Sequence, residues 1–287
     1  MKPILSCALF LTLSVGSGAQ EWTTARMGAL SGQAETAEAI RAAAERQAVY
    51  QQGQEYVIPQ LIVGGEWNTS LKLTNRGTAP ITAGLAIFID NTGKPVNMTI
   101  QPNTGDPIMA AGLKFILPAG SMIEVPFVSG TDAVFGHVLI DPATCPVGTG
   151  CALYAEATLR NRNSTRPDFE LVFPAEIPTD LQYMLFDHRT GYSTVLYLIN
   201  LNSTSTTVEL EFRGTGNQLI KTVSVTLQNA ESQILSPHAL APETIGLQGT
   251  MIIRGTNEAT RALIAATALR INPSNSFTPM RAFVPRP

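Results

Sequence analysis

Trp67-Asn68-Thr69-Ser70-Leu71-Lys72-Leu73-Thr74-Asn75 decides how the chain is read, because it returns as Tyr192-Ser193-Thr194-Val195-Leu196-Tyr197-Leu198-Ile199-Asn200. Aligned without a gap, the two stretches match an aromatic, Thr, Leu, Leu and Asn. Apolar and polar residues alternate with a period of two and a turn residue closes each run, which is the pattern of a half-buried β-strand.

Working outward, the correspondence extends to both ends of two segments. Leu210 stands to Asn200 as Leu85 stands to Asn75, and Gly249-Thr250-Met251-Ile252-Ile253 echoes Gly136-His137-Val138-Leu139-Ile140. Ala152-Leu153-Tyr154-Ala155-Glu156-Ala157-Thr158-Leu159-Arg160 returns as Ala262-Leu263-Ile264-Ala265-Ala266-Thr267-Ala268-Leu269-Arg270, with closing strands near Phe173 and Phe283. Echoes in one order at both ends of a segment argue for an internal repeat. The region Asn97 to Ala111 has no counterpart in the second copy.

Composition agrees with strands. The chain has 287 residues, long enough for two ordinary domains. Charged residues make up 14%, well under the usual share of about a quarter, and Thr, Ser, Asn and Gly take their place. Turns such as Gly64-Gly65, Asn75-Arg76-Gly77, Asp90-Asn91-Thr92-Gly93 and Pro118-Ala119-Gly120 supply Gly or Asn where a positive φ is cheap. The net charge is −3 and the basic residues are scattered, so no footprint for nucleic acid is present.

Residues 1–19 read as a signal peptide: Lys2, an apolar run from Ile4 to Val15, then Ser17-Gly18-Ala19 before a cut at Gln20. The run is too short for a spanning helix, so no membrane span is expected after its removal. Ile4-Leu5-Ser6-Cys7 is a faint lipoprotein box, but cutting there would leave almost no apolar region in front of it. Residues 20–55 read as a helical leader, Ala-, Glu- and Arg-rich from Gln33 to Tyr50. Two β domains follow, at 56–177 and 181–287, with Pro178-Thr179-Asp180 as a hinge.

Cys145 and Cys151 are the cysteines of the mature chain, and in an exported protein their spacing fits a small disulfide-closed loop. A metal pair lacks nearby partners, and five intervening residues are not the two of a thioredoxin motif.

The pattern Gly-Gly-x-Trp-x-Thr-x-Leu-x-Leu-x-Asn at Gly64 to Asn75 is followed by Asp90-Asn91-Thr92-Gly93-Lys94-Pro95 and the Leu117 to Gly120 turn. Together they resemble secreted bacterial proteins built from paired immunoglobulin-like β-sandwiches, whose activity is uncharacterised. The resemblance implies two tandem immunoglobulin-like antiparallel sandwiches and an extracytoplasmic setting, periplasmic or secreted. It implies no activity.

Chemistry is sparse. His137, His188 and His238 have no metal-ligand spacing, and no nucleophile elbow or phosphate-cradling glycine loop occurs in the mature chain. Asp90, Glu124, Asp132, Asp141, Glu156 and Asp168 could supply a carboxylate pair, but they are the ordinary charge supply of a sandwich surface. Glu156 is expected on an outer face. Trp67 and Tyr192 are the candidate ligand-stacking residues, weighed against a core-sealing role. The sequons at Asn68, Asn97, Asn163 and Asn202 reflect a Thr- and Asn-rich composition.

The sequence therefore favours an exported, non-enzymatic structural or adhesion-type module at the cell envelope, with no metal and no cofactor, meeting a protein or a cell-surface polymer. A secreted carbohydrate-binding protein is the alternative, and a hydrolase stands third.

Overall fold

The computed structural model describes residues 11–12, 26–29, 56–101, 106–128, 130, 132–142, 152–162, 168–256 and 262–284. The chain is all-β, every ladder is antiparallel, and the helical content among the described residues is two single turns. It divides into two compact units, residues 1–90 with 95–175 and residues 91–94 with 176–287. The signal-peptide segment lies outside the described residues except for β1 (Leu11–Thr12), and most of the leader lies outside them too. The described part of that leader, β2 (Arg26–Ala29), is a strand rather than a helix. Cys145 and Cys151 also lie outside the described residues.

The first unit contains β3 (Tyr56–Val63), β4 (Trp67–Asn75), β5 (Ile81–Asp90), β6 (Met98–Ile100), β7 (Ile108–Ala110) and β8 (Gly112–Leu117). It continues with β9 (Met122–Pro126), β10 (Val134–Asp141), β11 (Leu153–Asn161) and β12 (Phe169–Pro174). One sheet has the order β1-β2-β8-β5-β10-β3 and the other β12-β11-β4-β9, with β6-β7 as a separate hairpin.

The second unit contains β13 (Leu181–Asp187), β14 (Ser193–Asn200), β15 (Thr206–Gly214), β16 (Leu219–Leu227) and β17 (Ser232–Leu235). After α1 (Pro237–Leu240) and a 3-10 turn at Pro242–Thr244 come β18 (Gln248–Thr256), β19 (Ile264–Ile271) and β20 (Phe277–Arg281). Its sheets run β13-β18-β15-β16 and β17-β14-β19-β20. Set beside the first unit, β3, β4, β5, β8, β9, β10, β11 and β12 occupy the places of β13 to β20 in sequence order. The extra elements of the first unit are β1, β2 and the β6-β7 hairpin.

Each unit closes two sheets on its own apolar interior. In the second, Phe186, Leu196, Leu198, Val208, Leu210, Phe212, Met251, Ile253, Ile264, Ala266 and Ala268 form one buried cluster drawn from both sheets. Leu61, Leu71, Leu73, Ala86, Phe88, Val138, Ile140, Leu153, Ala155 and Ala157 are the buried apolar residues at the corresponding positions of the first. Burying each of the larger of these side chains contributes about 1.5–3 kcal/mol, so alternation along the strands is what holds the sheets face to face.

The two opening stretches end in the same polar plug. Asn75 and Asn200 are fully buried. Asn75 donates through Nδ2 to the carbonyls of Ala79 at 2.8 Å and Leu117 at 3.0 Å, and its Oδ1 accepts from the Gly77 N–H at 3.0 Å. Asn200 donates to Thr204 at 2.8 Å, Leu227 at 3.3 Å and Gln228 at 2.8 Å, and accepts from the Asn202 N–H at 3.0 Å. A carboxamide carries donors and acceptors together, so one side chain satisfies a turn and a strand end that would otherwise bury unpaired backbone groups. Two residues into each stretch, Thr69 donates its hydroxyl to the Ile62 carbonyl, while the Thr194 hydroxyl accepts from the Asp187 N–H at 3.0 Å.

Two of the sequence alignments are out of register by one residue. Phe88 faces Val138 as Phe212 faces Met251, so Leu210 corresponds to Ala86 and not to Leu85. The ladder between β5 and β8 shifts register between Ile81 and Gly84, which inserts the extra residue and turns Leu85 away from the core. Likewise Leu153 pairs with Asn75 as Ile264 pairs with Asn200, so Arg270 corresponds to Leu159 and not to Arg160. The closing strands are offset as well: Phe173, 1% exposed, lies opposite Ala157, its counterpart opposite Ala268 is Met280, and Phe283, 65% exposed, lies beyond β20. Gly136 and Gly249 do correspond. A Cβ there would lie 2.0 Å from the Ile89 carbonyl oxygen in one unit and 1.9 Å from that of Arg213 in the other, so neither position admits a side chain.

Candidate functional site

The slip at Arg270 places a charged group where the first unit has a core leucine. Ile264, Ala266 and Ala268 point into the core of the second unit, and Arg270 continues that row to the end of the sandwich. Asp187, the last residue of β13, meets it there. Asp187 lies opposite Gln248 one step beyond the Phe186–Gly249 pair, as Ile62 lies one step beyond Leu61–Gly136. A buried Ile62 and Leu159 in the first unit are thus matched by Asp187 and Arg270 in the second.

The carboxylate of Asp187 is saturated. Oδ1 accepts from Arg189 Nε at 2.9 Å and from the Arg189 backbone N–H at 3.3 Å. Oδ2 accepts from Arg189 Nη2 at 2.9 Å and from Arg270 Nε at 2.8 Å, with Arg270 Nη2 at 2.7 Å. The hydrogen bond from Arg189 is the largest effect on the group, and with that from Arg270 it holds the carboxyl far below the ordinary carboxylate range against the cost of burial. Asp187 is therefore a fixed anion and neither a base nor an acid.

Tyr192 joins this cluster. The guanidinium of Arg270 lies 4.3 Å from its ring centroid and that of Arg189 lies 5.3 Å away. The turn that brings them together runs from Arg189 to Tyr192 with Gly191 at φ +80° and a Tyr192 N–H bond to the Arg189 carbonyl at 2.8 Å. Trp67 is half-buried and meets Phe169 edge to face at 5.7 Å. The two candidate stacking residues thus sit at matching positions without sharing a site, and neither belongs to the buried core.

A cleft of about 470 Å³ opens beside the cluster, wholly within the second unit. Arg189, Arg270 and Asp187 line it together with the β15-β16 turn from Gly214 to Asn217 and the start of β18 at Gln248 to Thr250. Asp187 is the single acid of the lining, so the cleft carries two guanidinium groups against one carboxylate.

The histidines do not converge with it into a metal set, and among the described residues no group of three His, Cys, Asp or Glu side chains does so. His188 is buried, with Nδ1 at 2.7 Å from the Thr244 hydroxyl and its ring 5.5 Å from that of His238. Burial and then the His238 charge push its pKa down to about 4. His137 is wholly buried with no hydrogen-bond partner for either ring nitrogen among the described residues, and burial pushes it to about 4 against the pull of Asp90.

Glu156 does lie on an outer face, 3.3 Å from Lys72 and bonded by the Tyr154 hydroxyl at 2.6 Å. Arg160 faces outward too and pairs with Glu170 at 2.6 Å. No helix among the described residues is long and apolar enough to cross a membrane.

One further feature bears on recognition. In the first unit the edge of β8 is taken by β2, with Arg26 opposite Ile116 and Ala29 opposite Leu113. In the second unit the corresponding strand β16 ends its sheet among the described residues, and Thr222, Ser224 and Thr226 along it are exposed. Glu243 meets Lys221 at 2.8 Å near the start of that strand.

No protein-family model matches this chain, and no curated protein is significantly similar to it.

Proposed function

We propose that this chain is an exported, non-enzymatic interaction module of the cell envelope, built from two copies of one immunoglobulin-like sandwich, whose protein partner adds a strand to β16. The observation that carries this reading is the pair of matching edges: β8 receives β2, whereas β16 has no strand on its outer side among the described residues. A nine-residue strand, Leu219–Leu227, paired with β15 on one side and with no strand on the other among the described residues is a template for β-augmentation unless it is protected.

Several features support the rest. The same strand order in both units and the matched Asn75 and Asn200 plugs favour a copied module. Pairing of the second strand with the fifth and the third with the sixth is that of the B–E and C–F ladders of an immunoglobulin sandwich. The edge strands depart from it, since the first lies beside the sixth and the seventh beside the second. Export, the signal peptide at 1–19, the helical part of the leader and a Cys145–Cys151 disulfide rest on the sequence. The absence of catalysis rests on the saturated Asp187 and on acids distributed over outer faces.

Recognition of a sugar by stacking on Trp67 or Tyr192 is the second reading, and hydrolysis the third. The edge-to-face contact of Trp67 and the guanidinium groups beside Tyr192 make both aromatics less suited to stacking. The test is capture of partners from the source envelope by the wild-type chain, by Thr222→Lys/Thr226→Lys and by Trp67→Ala. The edge variant should lose the partner and Trp67→Ala keep it. Loss with Trp67→Ala alone would contradict the reading.

A further inference from the structure

The replacement of hydrocarbon by charge at one end of the second unit calls for a reason. Ile62 and Leu159 close the corresponding end of the first unit and are buried. A buried ion pair is generally no more stabilising than a well-packed apolar pair of similar volume. Closing that end of the sandwich does not require Asp187 and Arg270, since the first unit closes it with hydrocarbon. What they add is a guanidinium held in one orientation at the wall of a cleft, with Arg189 fixed beside it by the same carboxylate. The side chains of Arg189 and Arg270 are 47% and 33% exposed, against 9% for Asp187, so the charge that faces solvent is positive. Nη1 of each arginine has no hydrogen-bond partner among the described residues.

The rest of the lining narrows the ligand. Thr215, Asn217, Gln248 and Thr250 also line the cleft, and their hydroxyl and carboxamide groups carry donors and acceptors together as a polyol requires. The volume of about 470 Å³ suits a ligand of one or two sugar rings. We propose that the cleft binds a sugar carboxylate of the hexuronic acid class, with Arg189 and Arg270 meeting the carboxylate and the four polar side chains meeting hydroxyl groups. Asp187 is the positioning residue that holds the two arginines in place. The site is independent of the β16 edge and of the aromatic ring faces.

The experiment is titration of the full chain with galacturonate, followed by calorimetry or amide NMR, with galactose as the neutral analogue. Galacturonate should bind and galactose should bind about tenfold more weakly or not at all. Asp187→Ile with Arg270→Leu installs the hydrocarbon pair of the first unit; it should fold with an unchanged or higher melting temperature and lose galacturonate binding. Arg189→Gln keeps the Asp187–Arg270 pair, should weaken binding about tenfold, and decides the matter if the double variant does not fold. The proposal is overturned if galactose binds as well as galacturonate, if either variant that folds binds galacturonate like the wild type, or if the wild type takes up a peptide C-terminus and not galacturonate.

Discussion

The side-chain amide of Asn75 donates to the carbonyl of Leu117 at 3.0 Å, tying the end of β4 to the end of β8 in the facing sheet, and Asn200 makes the same tie to Leu227 in the second unit. Truncation would leave the buried carbonyl of Leu117 or Leu227 without a donor, together with the part-buried carbonyl of Ala79 or those of Thr204 and Gln228. Each costs about 1–3 kcal/mol, so Asn75→Ala and Asn200→Ala should each destabilise their own unit by about 3 kcal/mol, read by urea denaturation. Asn→Asp should not rescue either one, because a carboxylate cannot donate.

His137 sets an acid limit on the first unit. Its pKa is about 4 in the folded chain against 6.5 when exposed, so the unfolded state takes up the proton first. Stability from this group is intact above pH 6.5, falls as the pH drops from 6.5 towards 4, and levels off below; the full loss is at most about 3 kcal/mol. His137→Leu should raise stability at neutral pH by about 1–2 kcal/mol, since two unpaired buried nitrogens are removed. It should also flatten that limb in the first unit, while the second unit keeps the limb due to His188.

Gly120 and Ala230 occupy the same place in matching turns, at φ +70° and +54°. In both turns the residue that follows donates its N–H to the carbonyl two residues before, Ser121 to Pro118 and Glu231 to Gln228, each at 3.1 Å. A left-handed alanine costs about 1 kcal/mol that glycine does not. Ala230→Gly should therefore raise the melting temperature of the second unit. Gly120→Ala should lower that of the first by a comparable free energy, because a Cβ there meets nothing and only the backbone is strained.

Asp187 gives the second unit its own acid dependence. The folded carboxyl sits far below its exposed value of 3.8, so its contribution is present above that pH and is lost as the pH falls below it. Asp187→Asn should remove this low-pH loss from chemical denaturation curves and lower stability at pH 7 by about 2 kcal/mol, since two guanidinium groups lose their counter-charge.

Much of the architecture was legible in the sequence, since alternation and closing asparagines mark strands whatever the tertiary context. Trp67 to Asn75 and Tyr192 to Asn200 align without a gap, and the structure keeps that register. What escaped were one-residue irregularities. The shift between Ile81 and Gly84 leaves the composition of β5 unchanged yet turns Leu85 outward, and Ala-Leu-x-Ala patterns in β11 and β19 match almost as well one residue out of place. The strand β2 reads Arg-Met-Gly-Ala, too short to show a period. The cleft escaped for another reason. Asp187 and Arg270 lie far apart in the chain, and the clue was local: a charged Asp187-His188-Arg189 run just ahead of the aromatic position of the repeat.

Hydrogen exchange of the free, full-length protein, resolved at single amides, tests the central claim most directly. Two sandwiches of one topology, one with its edge filled and the other with its edge open among the described residues, should differ at the matching strands. In β8 successive amides between Leu113 and Ile116 should all be protected, because both sides of the strand are paired. In β16 protection should alternate from Thr222 to Thr226, with every second amide exchanging like an exposed one until a partner is bound. Uniform protection along β16 in the unbound chain would contradict the account.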